Sequence, residues 1–353
     1  MSNEISLLTT VIISICLLTL FSCANSLPMQ GDSRSAGIYS NRGTDYQGEY
    51  DRAIKEYNNA AQIDPRCAAG YNNLGITYIL ADEDDQAMLE FNEALNSEPR
   101  FAMAYNNRGS AYLRKGQPRT AILDFSKAVE IDPNYGEAYF NRASAYFRIG
   151  KFDQAILNLS KVIDLNPKDA EAYYNRGNAY SQIGFFIEAI MDYNAALEIN
   201  PGDAEAHRDR GIVYGKRGLY DQAMADLTKS LEMDPKDSQA YVGRGIIYAS
   251  NGEYDLATLD LNKALEIDPN NAKAYYNRAI VYFSKREYDK SWIDVIKALQ
   301  LGFEIPSEFL NDLQKVSGGR LSLINPKNDI FYWDLVTRSY AHFSPLSSPS
   351  RLI

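Results

Sequence analysis

One period governs this chain: from about residue 68 to residue 303 the same pattern of residues returns every 34 positions. A chain of that kind cannot wrap itself around one central core. Each unit offers the same apolar surface to its neighbours, so the units must stack. With the small residue of each unit numbered as the eighth place, the eleventh reads Tyr46, Tyr78, Tyr112, Tyr146, Tyr180, Tyr214, Tyr248 and Tyr282 without exception. The fourth place is tyrosine seven times and His207 once, and the twentieth is alanine from Ala53 to Ala257, then Ser291. Proline closes seven units, from Pro65 to Pro269, and Phe303 stands there in the eighth.

These columns specify helices. Places four, eight and eleven are three and four residues apart and share one helix face, as do places twenty, twenty-four and twenty-seven on a second helix. The small eighth place (Gly75, Gly109, Ala143, Gly177, Gly211, Gly245, Ala279) and the alanine at twenty let the two backbones approach closely. Glycine at place fifteen, as at Gly116 and Gly150, ends the first helix, and Asp-Pro or Asn-Pro stops the second.

The third unit shows the whole signature, Tyr105, Arg108, Gly109 and Tyr112, then Ala121 and Phe125, then Pro133. It resembles the tetratricopeptide repeat, and the chain is identified as a member of that family over residues 36–305. The resemblance implies an all-α solenoid, a right-handed superhelix of antiparallel helix pairs. Its eight repeats are 36–67, 68–101, 102–135, 136–169, 170–203, 204–237, 238–271 and 272–305, the first trimmed by two residues. It further implies a concave groove lined by the first helices, which holds a peptide segment or a helix of a protein partner.

Composition narrows the chemistry. A net charge of −10 disfavours binding to phosphate backbones, so no nucleic-acid partner is expected. The two tyrosine columns hold 15 of the 26 tyrosines, which assigns them to packing. With two histidines and three cysteines in 353 residues, material for a catalytic triad or a zinc site is nearly absent. No catalytic residue, cofactor or metal is expected, and His207 reads as a packing substitute for tyrosine. The functional expectation is a non-catalytic scaffold or adaptor; its rival is a regulatory or substrate-presenting module of a complex whose enzyme is another chain.

Two further columns need reasons. Place six carries Asn41, Asn73, Asn107, Asn141, Asn175 and Asn277, interrupted by Asp209 and Gly243. Asparagine is a mediocre helix former. An amide both donates and accepts, so a row of them can grip a bound peptide backbone, as in the asparagine ladder of the O-linked N-acetylglucosamine transferase repeats that this column resembles; the other reading is recent duplication. On either reading, alanine at these places is expected to leave stability unchanged or slightly higher. Asn73, Asn107, Asn141, Asn175 and Asn277 are therefore candidate partner-binding residues, with Arg114 and Arg148 of a basic strip that also takes in Arg208 and Lys216. The carboxylate-clamp pattern of chaperone-binding relatives is not found. Place seven is arginine in seven of eight repeats, and place twenty-three is Asp, Glu or Asn in all of them, from Glu56 to Asp294. A partly buried arginine requires a partner, and the same period supplies one, inside a repeat or between repeats.

The ends carry the address. Residues 5–21 are an apolar run followed by Ser22 and Cys23, so 1–22 is expected to be a signal peptide or membrane anchor. Leu20-Phe21-Ser22-Cys23 resembles the lipobox of exported bacterial lipoproteins, which implies lipidation of Cys23 and membrane association through the N-terminus on the periplasmic or outer-membrane side. Phe21 and the uncharged start depart from that pattern, and initiation at Met29 would instead give a cytoplasmic protein. Residues 23–35 read as a tether. At the other end, residues 306–317 are expected to form a capping helix, begun by Pro306 and a capping Ser307 and buried along Phe309, Leu313 and Val316. Residues 318–353 have no repeat.

Overall fold

A computed structural model describes residues 50–317 apart from residue 65. The candidate signal segment, Cys23, the tether, residues 36–49 of the first repeat and the tail at 318–353 lie outside the described residues. The chain divides into two compact units, Met1–Ile183 and Gly184–Ile353. Among the described residues there are sixteen α-helices and no strand.

The first unit holds α1 (Tyr50–Ile63), α2 (Ala68–Leu80), α3 (Asp84–Ser97), α4 (Ala102–Arg114), α5 (Pro118–Ile131), α6 (Gly136–Arg148), α7 (Phe152–Leu165) and α8 (Ala170–Gln182). From α2 onward the even helices are the first of each pair and the odd ones the second. The close approach of the pair rests on place eight. A methyl added at Gly109 would lie 2.7 Å from the ring of Phe125, and at Gly75 2.6 Å from that of Phe91, both rings being fully buried. Where place eight is Ala143, the opposing residue is the slimmer Leu159.

The second unit holds α9 (Phe186–Ile199), α10 (Ala204–Lys216), α11 (Tyr220–Met233), α12 (Ser238–Ser250), α13 (Tyr254–Ile267), α14 (Ala272–Ser284), α15 (Tyr288–Gln300) and α16 (Ser307–Val316). Here α10, α12 and α14 are first helices, and α16 closes the stack. Turns in both units use the same chemistry. Gly116 and Gly150 have φ of +70°, which costs glycine nothing, while Asp82 and Arg286 adopt nearly the same angle (59° and 61°) at the equivalent place against the steric preference of their side chains. The Asx-Pro corner is an Asx turn, with the Asn134 N–H donating to Asp132 Oδ1 at 2.9 Å. In the later repeats an acidic or amide residue just before the first helix caps it. Asp169, Asp203, Asp237 and Asn271 accept from the N–H of Ala172, Ala206, Ala240 and Ala274.

The capping helix differs from the expectation in detail. Its buried stripe is Phe309, Leu310 and Leu313, whereas Val316 is 45% exposed. Pro306 occupies the N-cap position and Ser307 makes no capping bond. The helix is set by Phe309, which packs edge-on against Tyr276 and Phe283 at 5.7 and 5.4 Å between centroids. That rotation brings Leu310 inward and leaves Val316 beyond the rim. Trp292 Nε1–H donates to Ser317 Oγ at 3.1 Å and holds the far end.

Candidate partner-binding site

The asparagine column in the first unit is bonded into a rail. Asn107 Nδ2 donates to Asn72 Oδ1 at 2.9 Å, and Asn141 Nδ2 to Asn106 Oδ1 at 3.0 Å, so place six of one repeat reaches place five of the repeat before it. Asn106 Nδ2 in turn donates to Glu137 Oε1 at 3.0 Å. Asn72 and Asn106 are almost completely buried; Asn73, Asn107, Asn141 and Asn175 are half-buried. Asn175 Nδ2 turns back to the Glu171 carbonyl, at 2.9 Å. One in-chain bond uses only part of an amide's capacity, since it has two N–H donors and an oxygen with two lone pairs. Because Asn107 and Asn141 satisfy buried oxygens, replacing them by alanine is destabilising, contrary to what helix propensity alone suggests.

The rail ends within the first unit. Asn277, in the second, is wholly buried and donates to the Lys273 carbonyl at 2.8 Å, so it presents no amide to a partner. Its neighbour Tyr276 lies under Phe303 and Phe309, at the capped end of the stack. The basic strip is likewise largely neutralised. Arg114 bonds Asp82 at 2.8 Å and Asp84 at 2.9 Å, and Arg208 bonds Asp209 and Asp237. Arg148 donates to the Leu113 carbonyl at 3.2 Å, beside Arg114 on the preceding first helix.

Two partners of the rail have consequences that can be measured. The buried Asn72 Nδ2 has no hydrogen-bond partner among the described residues, because Met103 stands where Glu137 serves Asn106 one repeat later. Met103→Gln supplies an acceptor and is expected to raise the unfolding free energy by about 1 kcal/mol in urea titrations. Burial holds the Glu137 carboxyl above its ordinary value, opposed by hydrogen bonds from Asn106 and Asn141. A raised carboxyl binds its proton more tightly in the folded state, so its contribution is fullest below pH 4.5 and is lost as pH rises through the folded value. Glu137→Gln should therefore stabilise the protein at pH 7, by a margin that shrinks as pH falls toward 4.5, read from thermal melts across that range.

The arginine column is a latch with two arms. Arg108 places Nε and Nη2 on the two carboxylate oxygens of Asp124 at 2.8 and 2.7 Å, inside its own repeat, and Nη1 on Asn92 Oδ1 at 2.7 Å in the preceding one. The partners lie sixteen residues ahead and sixteen behind. Arg210 repeats the arrangement with Asp226 and Asn194, and Arg278 with Asp294 and Asn262. Arg142 has Asn158 and Ser126 instead. Its guanidinium, desolvated without a carboxylate partner, is pulled below its usual range, while that of Arg244 is pushed up by the Asp260 hydrogen bonds. Among the described residues Arg108, Arg142, Arg176, Arg244 and Arg278 also lie over their place-four tyrosines, Arg108 over Tyr105 at 5.5 Å. His207 takes the tyrosine's place and bonds Asp226 through Nδ1 at 3.0 Å, which ties it to the Arg210 latch. Among the described residues no cluster of acidic, histidine or cysteine side chains could hold a metal ion.

Comparison with known proteins places this architecture. Family models described as TPR repeat match residues 46–80, 143–184 and 245–285. Models described as tetratricopeptide repeat match residues 102–135, 125–156, 170–203, 204–237 and 227–258. Among solved structures, the APC/C hetero-tetramer Cut9-Hcn1 matches 88% of this chain and 57% of its own, with TM-score 0.55 and 19% identity. Pseudomonas aeruginosa pilF matches 60% of this chain and 97% of its own, with TM-score 0.54 and 19% identity. A tetratricopeptide repeat protein of Parabacteroides merdae matches 70% and 99%, with TM-score 0.52 and 22% identity. At these identities the likeness is one of fold. No curated protein sequence gave a match. The family models between them cover more than half of the chain, and the chain belongs to the tetratricopeptide repeat family.

Proposed function

We propose that this protein is a non-catalytic scaffold that holds peptide segments of protein partners along the first helices of its first unit, in the cell envelope. Tetratricopeptide repeats are protein- and peptide-binding scaffolds, generally without chemistry of their own. The observation that carries the reading is the run of half-buried amides Asn73, Asn107, Asn141 and Asn175, one per first helix. Such a row offers a donor and an acceptor at each repeat, which suits an extended backbone. Incorporating a photocrosslinking residue at Ser144, one turn from Asn141 on α6, should yield discrete protein adducts in cells. The same residue at the outward-facing Leu157 is the control. Adducts at Leu157 alone would refute the inner-face assignment.

The envelope assignment rests on residues 5–23, outside the described residues. The attachment proposed is through a lipid on Cys23, because Leu20-Phe21-Ser22-Cys23 resembles a lipobox; among the described residues no helix is long and apolar enough to cross a membrane. Metabolic labelling with a fatty-acid analogue should tag the wild type and spare Cys23→Ala; equal labelling of both would exclude it.

A further inference from the structure

In the first repeat place twenty-two is Lys55, but on the second helices from the second repeat onward it carries an apolar side chain that no packing explains. It is Leu89, Leu123 and Leu157 in the first unit and Met191, Ala225, Leu259 and Ile293 in the second. Met191, Leu259 and Ile293 are 65%, 63% and 64% exposed. Single exposed apolar residues are ordinary, but one per repeat at the same place makes a row. Places eighteen and twenty-six lie one turn to either side of it on the same helix face. In the second unit place eighteen reads Ile187, Asp221, Asp255 and Asp289, and place twenty-six reads Ala195, Lys229, Lys263 and Lys297. The apolar row is thus edged by carboxylates on one side and ammonium groups on the other.

We propose that this face of the second unit is a self-association surface whose occupant is the same face of a second copy. A two-fold axis along the row keeps each helix opposite its own counterpart and reverses its direction. The apolar row then lies on itself. Asp221 faces Lys229 of the second copy, Asp255 faces Lys263, Asp289 faces Lys297, and Ile187 meets Ala195. All four helices match, and each charged pair occurs twice. Applied to the first unit, the same operation sets Asp85 against Glu93 and Arg119 against Lys127, and only Asp153 against Lys161 matches, so two of its three leucines are not served this way. Four helices about 21 Å long and about 10 Å apart offer roughly 800 Å², the area a standard interface buries on each partner. The in-chain pairs Lys229–Glu232 and Lys263–Glu266 are exposed, and Asp255, which bonds Lys285 at 2.7 Å, is itself exposed, so all three can exchange partners at little cost.

Sedimentation equilibrium of the full chain in a mild non-ionic detergent, over a hundredfold range of concentration, should show a monomer–dimer equilibrium. Leu259→Glu, on an exposed position that leaves the fold intact by circular dichroism, should weaken it about tenfold or more. Asp221→Lys and Lys229→Glu should each weaken it, and the two together should restore it to within about threefold of wild type, because the swapped charges again face each other. A monomer at every concentration, a dimer unaffected by Leu259→Glu, or a double variant no tighter than either single one would overturn the proposal.

Discussion

Replacing Arg244 by alanine is expected to lower the unfolding free energy by about 3 kcal/mol. The guanidinium on α12 holds both carboxylate oxygens of Asp260 on α13, at 2.7 and 2.9 Å. Asp260 is only 4% exposed, so removing its partner strands a charge that water cannot solvate. The guanidinium also lies 5.6 Å from the centre of the Tyr241 ring, and alanine cannot replace that cation–π attraction. Asp260→Asn is the gentler change, expected at about 1 kcal/mol, because the amide removes the charge yet still accepts an N–H. The protein already contains that version in Arg142 and Asn158, bonded at 2.8 Å. Urea unfolding of the two variants separates the terms. A loss well under 1 kcal/mol for Arg244→Ala would mean that the column behaves as exposed surface pairs do.

Gly109→Ala is expected to cost about 2 kcal/mol although alanine is the better helix former. The new methyl would sit 2.7 Å from Cε1 and 2.9 Å from Cδ1 of Phe125, and a fully buried ring has nowhere to move. Phe125→Leu alone leaves space and should cost about 1 kcal/mol or more. Combined, the two recreate the Ala143 and Leu159 pairing found one repeat later, so the double variant should be more stable than the sum of the singles predicts, by about 1–2 kcal/mol. Strict additivity in the thermal or urea data would show that place eight does not touch place twenty-four in solution.

Much of this was legible because it recurs with the period. Columns of like residues disclose the helix pairs, the close approach at place eight and the arginine-carboxylate bond, since all of these join residues within one repeat. What escaped is what crosses from one repeat to the next between unlike places. The rail joins residues 35 apart, place six to place five of the repeat before, and comparing like places does not reveal it. The second arm of Arg108, Arg210 and Arg278, sixteen residues back, escaped for the same reason. Asn277 kept its column but changed its surroundings, because nothing in a repeat announces that it lies next to the cap. Leu310 replaced Val316 in the capping helix because that helix has no counterpart to align with, and its rotation is set by Phe309 against Tyr276 and Phe283.

The central claim is that the asparagine rail of the first unit grips a partner's backbone. Its most direct test is the affinity of the triple variant Asn107→Ala, Asn141→Ala, Asn175→Ala for a partner segment identified by crosslinking at Ser144. The measurement belongs at a temperature where circular dichroism shows both proteins folded, since the variant also loses the bonds to Asn72 and Asn106. Each amide contributes about 0.5–1.5 kcal/mol, so the dissociation constant should rise by roughly ten- to a thousandfold. A folded variant that binds the segment as tightly as wild type would contradict the claim and leave the asparagines as structural links between repeats.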